Sequence, residues 1–158
     1  MDKLLLSLHV VAAIVFVGPV TVAVSLFPRH ARLALAGDEQ AVPVVRLLHR
    51  IARVYAVVGL CVPVLGVALA ARLHVLGDAW LVISIGLTFA AAVILAVAVL
   101  PAQHRAVDLL DTSTPSDLGR VAWSDGSRRL AMASGVFALL WVVVVVLMVV
   151  RPGSTTGV

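Results

Sequence analysis

The stretch from Leu130 to Val150 reads LAMASGVFALLWVVVVVLMVV and contains no acidic, basic or histidine side chain. A helix needs roughly 20 apolar residues to cross about 30 Å of hydrocarbon, so this stretch is long enough to span a bilayer. Because lipid offers the backbone no hydrogen bonds, its amides must bond within the segment itself. The stretch therefore predicts a transmembrane helix.

Three further stretches have the same character. They cover residues 4–27, 54–71 and 80–100, and His9 is the one basic or acidic residue well inside any of the four. The chain is 62% hydrophobic and 13% charged, against about half and about a quarter in soluble domains, which excludes a soluble enzyme. We predict an all-α polytopic membrane protein, a single domain over residues 1–158 with four transmembrane helices in an antiparallel bundle.

The basic residues predict how the helices are oriented. The connecting loops 28–53 and 101–129 contain nine arginines, whereas the opposite side contains only Lys3, Arg72 and Arg151. Since short loops rich in Lys and Arg stay on the cytoplasmic side, both loops are predicted to be cytoplasmic and both termini outside. The bias toward Arg, Ala and Val is typical of bacteria, and the predicted location is the bacterial inner (plasma) membrane.

Proline and glycine predict local features of the helices. Gly18-Pro19 is expected to bend the first helix, since proline lacks a backbone donor, and Pro28 is expected to mark its cytoplasmic end. Thr114-Pro115 is typical of an N-cap followed by proline at the first helical position, and the helix that it opens is expected to run on into the fourth span. Residues 154–158 are expected to be disordered. Small residues predict helix contacts at Gly59, Gly66 and Ala70, at Gly86 and Ala90, and at Ala131 and Gly135.

His9 is the most informative candidate for a functional residue. Ionisable groups inside a span are rare and usually face the bundle interior or a pathway. A neutral imidazole there is either a hydrogen-bonding link between helices or a ligand or proton relay, and both readings stay open. His74 is the other histidine on that side, so His9 and His74 are the candidate cofactor-binding residues, with haem b as the cofactor considered.

The remaining polar residues predict contacts rather than catalysis. Arg46, Arg50 and Arg53 share one helix face and are expected to meet anionic lipid headgroups or an acidic partner surface, not nucleic acid. His49 and His104 each flank a helix end and could meet, although solvated or headgroup-facing side chains are favoured. No catalytic residues or metal ligands are predicted, and Cys61, the single cysteine, cannot form an internal disulfide.

Short motifs carry a family resemblance, listed here in chain order: Leu8-His9, Gly18, Pro28-Arg29, Pro63, Leu65-Gly66, Trp80-Leu81 and Leu147-Met148-Val149-Val150-Arg151-Pro152. The chain resembles an uncharacterised family of small four-helix predicted integral membrane proteins of bacteria. It is more distantly similar to the HemJ-type protoporphyrinogen oxidases and the CopD-like copper-resistance domains.

The resemblance implies specific roles. In the HemJ-type oxidases the first-helix histidine is associated with haem, which implies that role for His9. Those enzymes also have an essential lysine shortly after the Trp-Leu pair, where this chain has Ser84, and this difference counts against oxidase activity. Copper transfer needs soft ligands, which are poorly supplied by Cys61 and three methionines, Met1, Met132 and Met148.

We therefore expect an integral membrane bundle that acts as an accessory or structural subunit, beside a membrane-protein partner or further copies of itself. The alternatives are a haem-binding protein with a redox role through His9, and transport of a small solute or metal. Transport ranks last because all eight Asp and Glu residues lie outside the four stretches, whereas coupled transporters place acids near the membrane midplane.

Overall fold

Helices make up all the regular structure in the described part of the chain. The computed structural model describes residues 2–112 and 117–153, so the N-cap predicted at Thr114 and the tail 154–158 lie outside it. The α-helices are α1 (Asp2–Ala12), α2 (Gly18–Leu35), α3 (Ala41–Val58), α4 (Cys61–Leu73), α5 (Ala79–Val93), α6 (Leu100–Asp111) and α7 (Asp117–Val150). Two π-helical segments, Ala13–Val17 and Ile94–Val99, join α1 to α2 and α5 to α6.

These elements form four long helical units, each built from one helix or from two consecutive helices, which we call rods. The first comprises α1 and α2, the second α3 and α4, the third α5 and α6, and the fourth is α7. Within them, four helical segments are long and apolar enough to cross a membrane, three of 33 residues and one of 25. The all-α polytopic prediction is confirmed, and α1 packs on α4 as α2 packs on α3, so the first two rods are antiparallel.

The rods are longer than the predicted spans. At a rise of about 1.5 Å per residue, 33 residues extend about 50 Å, roughly 20 Å more than the hydrocarbon layer. The segments 28–53 and 101–129, expected as connecting loops apart from the helix opening near Thr114-Pro115, are helical except at residues 36–40 and at 112, with 113–116 not described. The expectation that Pro28 ends the first helix is wrong: Pro28 is buried inside α2, whose packed face continues through Ala31 and Ala34.

Three prolines follow irregular turns. The segment Ala13–Val17 precedes Pro19, a break at Gly59-Leu60 precedes Pro63, and Ile94–Val99 precedes Pro101. A proline within a helix cannot donate to the carbonyl four residues earlier and its ring clashes there. The wider turns and the break accommodate that clash. A π-helical turn comes immediately before Gly18-Pro19, where the sequence predicted a bend.

The two ends of the bundle are packed differently. At one end of the bundle α1 and α5 begin and α4 and α7 finish, and we call it the terminal end. We call the opposite end the arginine-rich end. The main core, which includes Val24, Phe27, Val45, Val99 and Leu130, joins α2, α3, α7 and the end of the third rod toward the arginine-rich end. A small second cluster of Ala70, Trp80 and Leu81 packs at the terminal end. Between the two lies a cavity.

Of the four glycines predicted to lie at helix contacts, only Gly66 meets another helix of the described chain. A Cβ on Gly59 would lie 2.7 Å from the backbone oxygen of Tyr55, four residues earlier in the chain. A Cβ built on Gly66 would lie 3.0 Å from Cε1 of His9, whereas a Cβ on Gly86 or Gly135 would meet nothing within 4 Å. The predicted close packing at Gly66 therefore has a partner in this chain. The contacts predicted at Gly86 and Gly135 are absent from the described residues, because both positions face open space.

Candidate functional site

The imidazole of His9 is buried against the second rod. The residue is 8% exposed, and its ring lies across Gly66 of α4, where the missing side chain leaves room for it. The backbone carbonyl of Val62, one turn earlier on α4, also interacts with the ring. Nδ1 of His9 is buried and has no hydrogen-bond partner among the described residues. The structure thus places His9 inside the bundle and leaves one ring nitrogen unsatisfied.

His9 lines a cavity of about 760 Å³ that all four rods enclose in part. This volume is within the range of small-molecule binding sites, about 300–1,000 Å³. The lining is almost entirely apolar, and its nitrogen and oxygen side-chain atoms belong to His9, Thr21, Thr88 and Trp141. The cavity is partly open, so a lipid-soluble molecule has access to it.

Two of the three irregular turns border the cavity. Val17 and Gly18, Leu60 and Pro63 line it, and each belongs to or adjoins one of the irregular turns that precede prolines. Local changes in helix geometry redirect the side chains that follow. The turns before Pro19 and Pro63 thus lie at the cavity, whereas Leu95 and Val99 of the third turn belong to the main core.

His9 and His74, the two histidines expected to hold a cofactor, are far apart: His9 lies against the middle of α4, and His74 lies at the end of that helix. His74 is exposed and caps α4 in a left-handed conformation, with φ of 59°. It follows Gly66, the neighbour of His9, by eight residues, or about 12 Å along a helix axis. Ser84, at the position where the HemJ-type enzymes have lysine, is fully buried and donates to the carbonyl of Trp80 at 2.7 Å.

The three arginines singled out in the sequence lie on α3 and are all exposed. Arg46 pairs with Asp111 of α6, with Nη2 2.6 Å from Oδ1. Among the described residues, Arg50 and Arg53 take part in no ion pair of this kind. They therefore remain available for an anionic headgroup or partner, whereas Arg46 links α3 to α6.

The sequence missed a buried polar cluster near the arginine-rich end. His49 and His104 do meet, with ring centroids 5.9 Å apart, but His49 is only 9% exposed rather than solvated. Nδ1 of His49 lies 3.2 Å from Oε1 of Gln103, a side chain with no exposed surface. The other side-chain nitrogen of each has no partner in the described residues. The sequence signal for this cluster was the position of Gln103, which follows Val99 by four residues and precedes Ala106 by three. This spacing puts all three residues on one face of a helix.

Other chemistry is thinly supplied in the described residues. No group of three or more His, Cys, Asp or Glu side chains is placed to hold a metal ion. Cys61 is a free, half-buried thiol. The cavity residues Thr88 and Trp141 were also missed as site residues, because apolar sequence periodicity does not show which helix faces enclose a space.

Comparison with known families identifies the chain. Residues 3–152 match the model of the family described as Predicted integral membrane protein (DUF2269). The chain belongs to this family. The expected membership of an uncharacterised integral membrane family is thereby confirmed, whereas the more distant likeness to HemJ-type and CopD-like proteins gains no support. No curated protein and no solved structure matches this family member.

Proposed function

We propose that this member of the DUF2269 family is a non-catalytic membrane bundle that binds a lipid-soluble ligand in the His9 cavity. One observation carries the proposal: a buried histidine nitrogen without a partner belongs to a residue that lines an apolar cavity of about 760 Å³. Buried polar groups in proteins almost always have a hydrogen-bond partner, and leaving one without costs about 1–3 kcal/mol. A bound ligand would supply the missing partner.

The surroundings favour a ligand that arrives through the bilayer. The cavity lies within the four apolar segments, and its lining contains no Asp, Glu, Lys or Arg among the described residues. A charged, water-soluble ligand would lose its hydration there without gaining a countercharge. An apolar molecule that moves from the lipid into the cavity has no such hydration to lose.

Binding can be tested with bromodecane, which quenches tryptophan emission on contact. Trp141 lines the cavity, whereas Trp80 and Trp123 do not. In lipid nanodiscs we expect saturable quenching of Trp141 in the wild-type protein. Ala138→Phe, which fills the cavity, should abolish the saturable phase, and Ala131→Phe, the same change at an exposed position of α7, should not. Quenching that never saturates, or is equal in both variants, would contradict the proposal.

Haem is the second candidate, because the free Nδ1 of His9 and the thioether of Met148, another lining residue, are both ligand types for haem iron. A haem would supply one-electron redox chemistry. The fit is incomplete: the described lining has no cationic side chain for the two carboxylates, and His74 is not beside His9. A Soret band after haem supply that disappears in His9→Phe would support haem, and no band would exclude it.

The wider role proposed is that of an accessory or structural subunit in the bacterial inner membrane, with both termini outside. The nine arginines of residues 28–53 and 101–129 support this orientation by their number, and those whose side chains the structure describes are all exposed. Arg50 and Arg53 are the proposed contacts for anionic headgroups or a partner. A reporter that fluoresces only in the cytoplasm should be bright when inserted at Gly37 and dark when fused after Gly153; the reverse pattern would overturn the orientation.

A further inference from the structure

Three polar side chains of the cavity lie at about the same depth. His9 is seven residues from the start of α1, Thr88 nine residues from the start of α5, and Trp141 nine residues from the end of α7. At about 1.5 Å per residue, these positions lie roughly 10–14 Å from the terminal end. Gly66, which contacts His9, is seven residues from the end of α4 and fits the same level.

Each of these side chains has hydrogen-bonding capacity that the described chain does not use. Nδ1 of His9 and Nε1 of Trp141 are buried without a partner. The hydroxyl of Thr88 makes no hydrogen bond to any residue that the structure describes, whereas that of Thr21, also in the lining, donates to the carbonyl of Val17 at 2.9 Å. The indole N–H can only donate and a threonine hydroxyl can donate or accept. Nδ1 of the neutral His9 ring accepts, because the other ring nitrogen donates to the carbonyl of Val62.

We infer that the ligand is a neutral lipid with a hydroxyl or carbonyl group, which His9, Thr88 and Trp141 hold at this level while its hydrocarbon part fills the apolar remainder of the cavity. The inference rests on the proposed function and adds the chemistry of the ligand's polar group. A hydroxyl or carbonyl oxygen accepts from the indole. The absence of charged residues from the described lining favours a neutral group over a carboxylate or an ammonium.

The test compares ten-carbon molecules that differ in their polar group. Decane, 1-decanol, 2-decanone and decanoate are each used to displace bromodecane from Trp141 of the wild-type protein in nanodiscs, with amounts expressed per lipid. A net hydrogen bond contributes about 0.5–1.5 kcal/mol, so decanol and decanone should displace the probe at about 2- to 12-fold lower amounts than decane. Decanoate should compete no better than decane.

Variants identify the residues responsible. Thr88→Val and His9→Phe should bring decanol close to decane, whereas Thr112→Val, the same change at an exposed position outside the cavity lining, should leave the difference unchanged. Equal displacement by decanol and decane, or strongest displacement by decanoate, would overturn this inference while the binding function stands. Bromodecane quenching that does not saturate would overturn both. The wild-type series decides the matter even if a variant does not fold.

Discussion

Replacing Phe27 with alanine is expected to lower the free energy of unfolding by about 3–5 kcal/mol, the cost of deleting a large aromatic side chain from a closed core. Phe27 has no exposed surface and belongs to the main core. Its ring also meets the edge of His49, with centroids 6.5 Å apart. The loss should appear as a lower unfolding midpoint in a denaturant titration of the detergent-solubilised protein.

Phe89 provides the matched control. It is 71% exposed on α5, so Phe89→Ala removes the same atoms from a position that faces away from the packed core. We expect that variant to stay within about 1 kcal/mol of the wild-type protein, as surface substitutions usually do. An equal loss of unfolding free energy in Phe27→Ala and Phe89→Ala would mean that the core toward the arginine-rich end is not the most stable part of the bundle.

Replacing Gly66 with leucine is expected to have the second largest effect. Even a Cβ at this position lies 3.0 Å from Cε1 of His9, so the imidazole must move, and the rest of the side chain must enter the cavity or push α1 and α4 apart. Overpacking of this kind costs about 1–3 kcal/mol. Saturable quenching by bromodecane should weaken at least about tenfold, corresponding to about 1.4 kcal/mol of binding free energy.

Gly86→Leu is the control for Gly66→Leu. A Cβ on Gly86 meets nothing within 4 Å, and Gly86 is not part of the cavity lining. The unfolding midpoint and the bromodecane quenching should both match the wild-type protein. If Gly66→Leu behaves like Gly86→Leu, the contact between His9 and α4 does not shape the cavity.

The sequence was sufficient for the number and type of the helices. Runs such as Leu130–Val150 leave the backbone no alternative to a helix in lipid, so the four spans follow from composition and length. The helix that leads into the fourth span was predicted from Thr114-Pro115, and α7 runs without a break from Asp117 to Val150. The continuation of the first and third spans as helices was not predicted, because a hydropathy reading ends a span where arginines begin. In fact α3 places Arg46, Arg50 and Arg53 on an exposed face while Val45, Leu48 and Ala52 continue the buried one.

The candidate site could be predicted only in part. His9 stood out because it is the one histidine within an apolar stretch, and the structure gives it a neighbour in Gly66 and a cavity beside it. The partners of His9 across the cavity, Thr88 and Trp141, resemble ordinary helix residues in the sequence. Their importance depends on which faces of α5 and α7 turn toward α1, and that is set by packing of all four rods.

The most direct test of a ligand at His9 is the nitrogen-15 NMR spectrum of the protein labelled at histidine, recorded in nanodiscs with decane and then with decanol. The His9→Phe variant assigns the signals of His9 among the five histidines of the chain. The account predicts that decanol shifts the ring-nitrogen signals of His9 and leaves those of exposed His74 in place, while decane has little effect on either. Unchanged His9 signals at saturating decanol would contradict it.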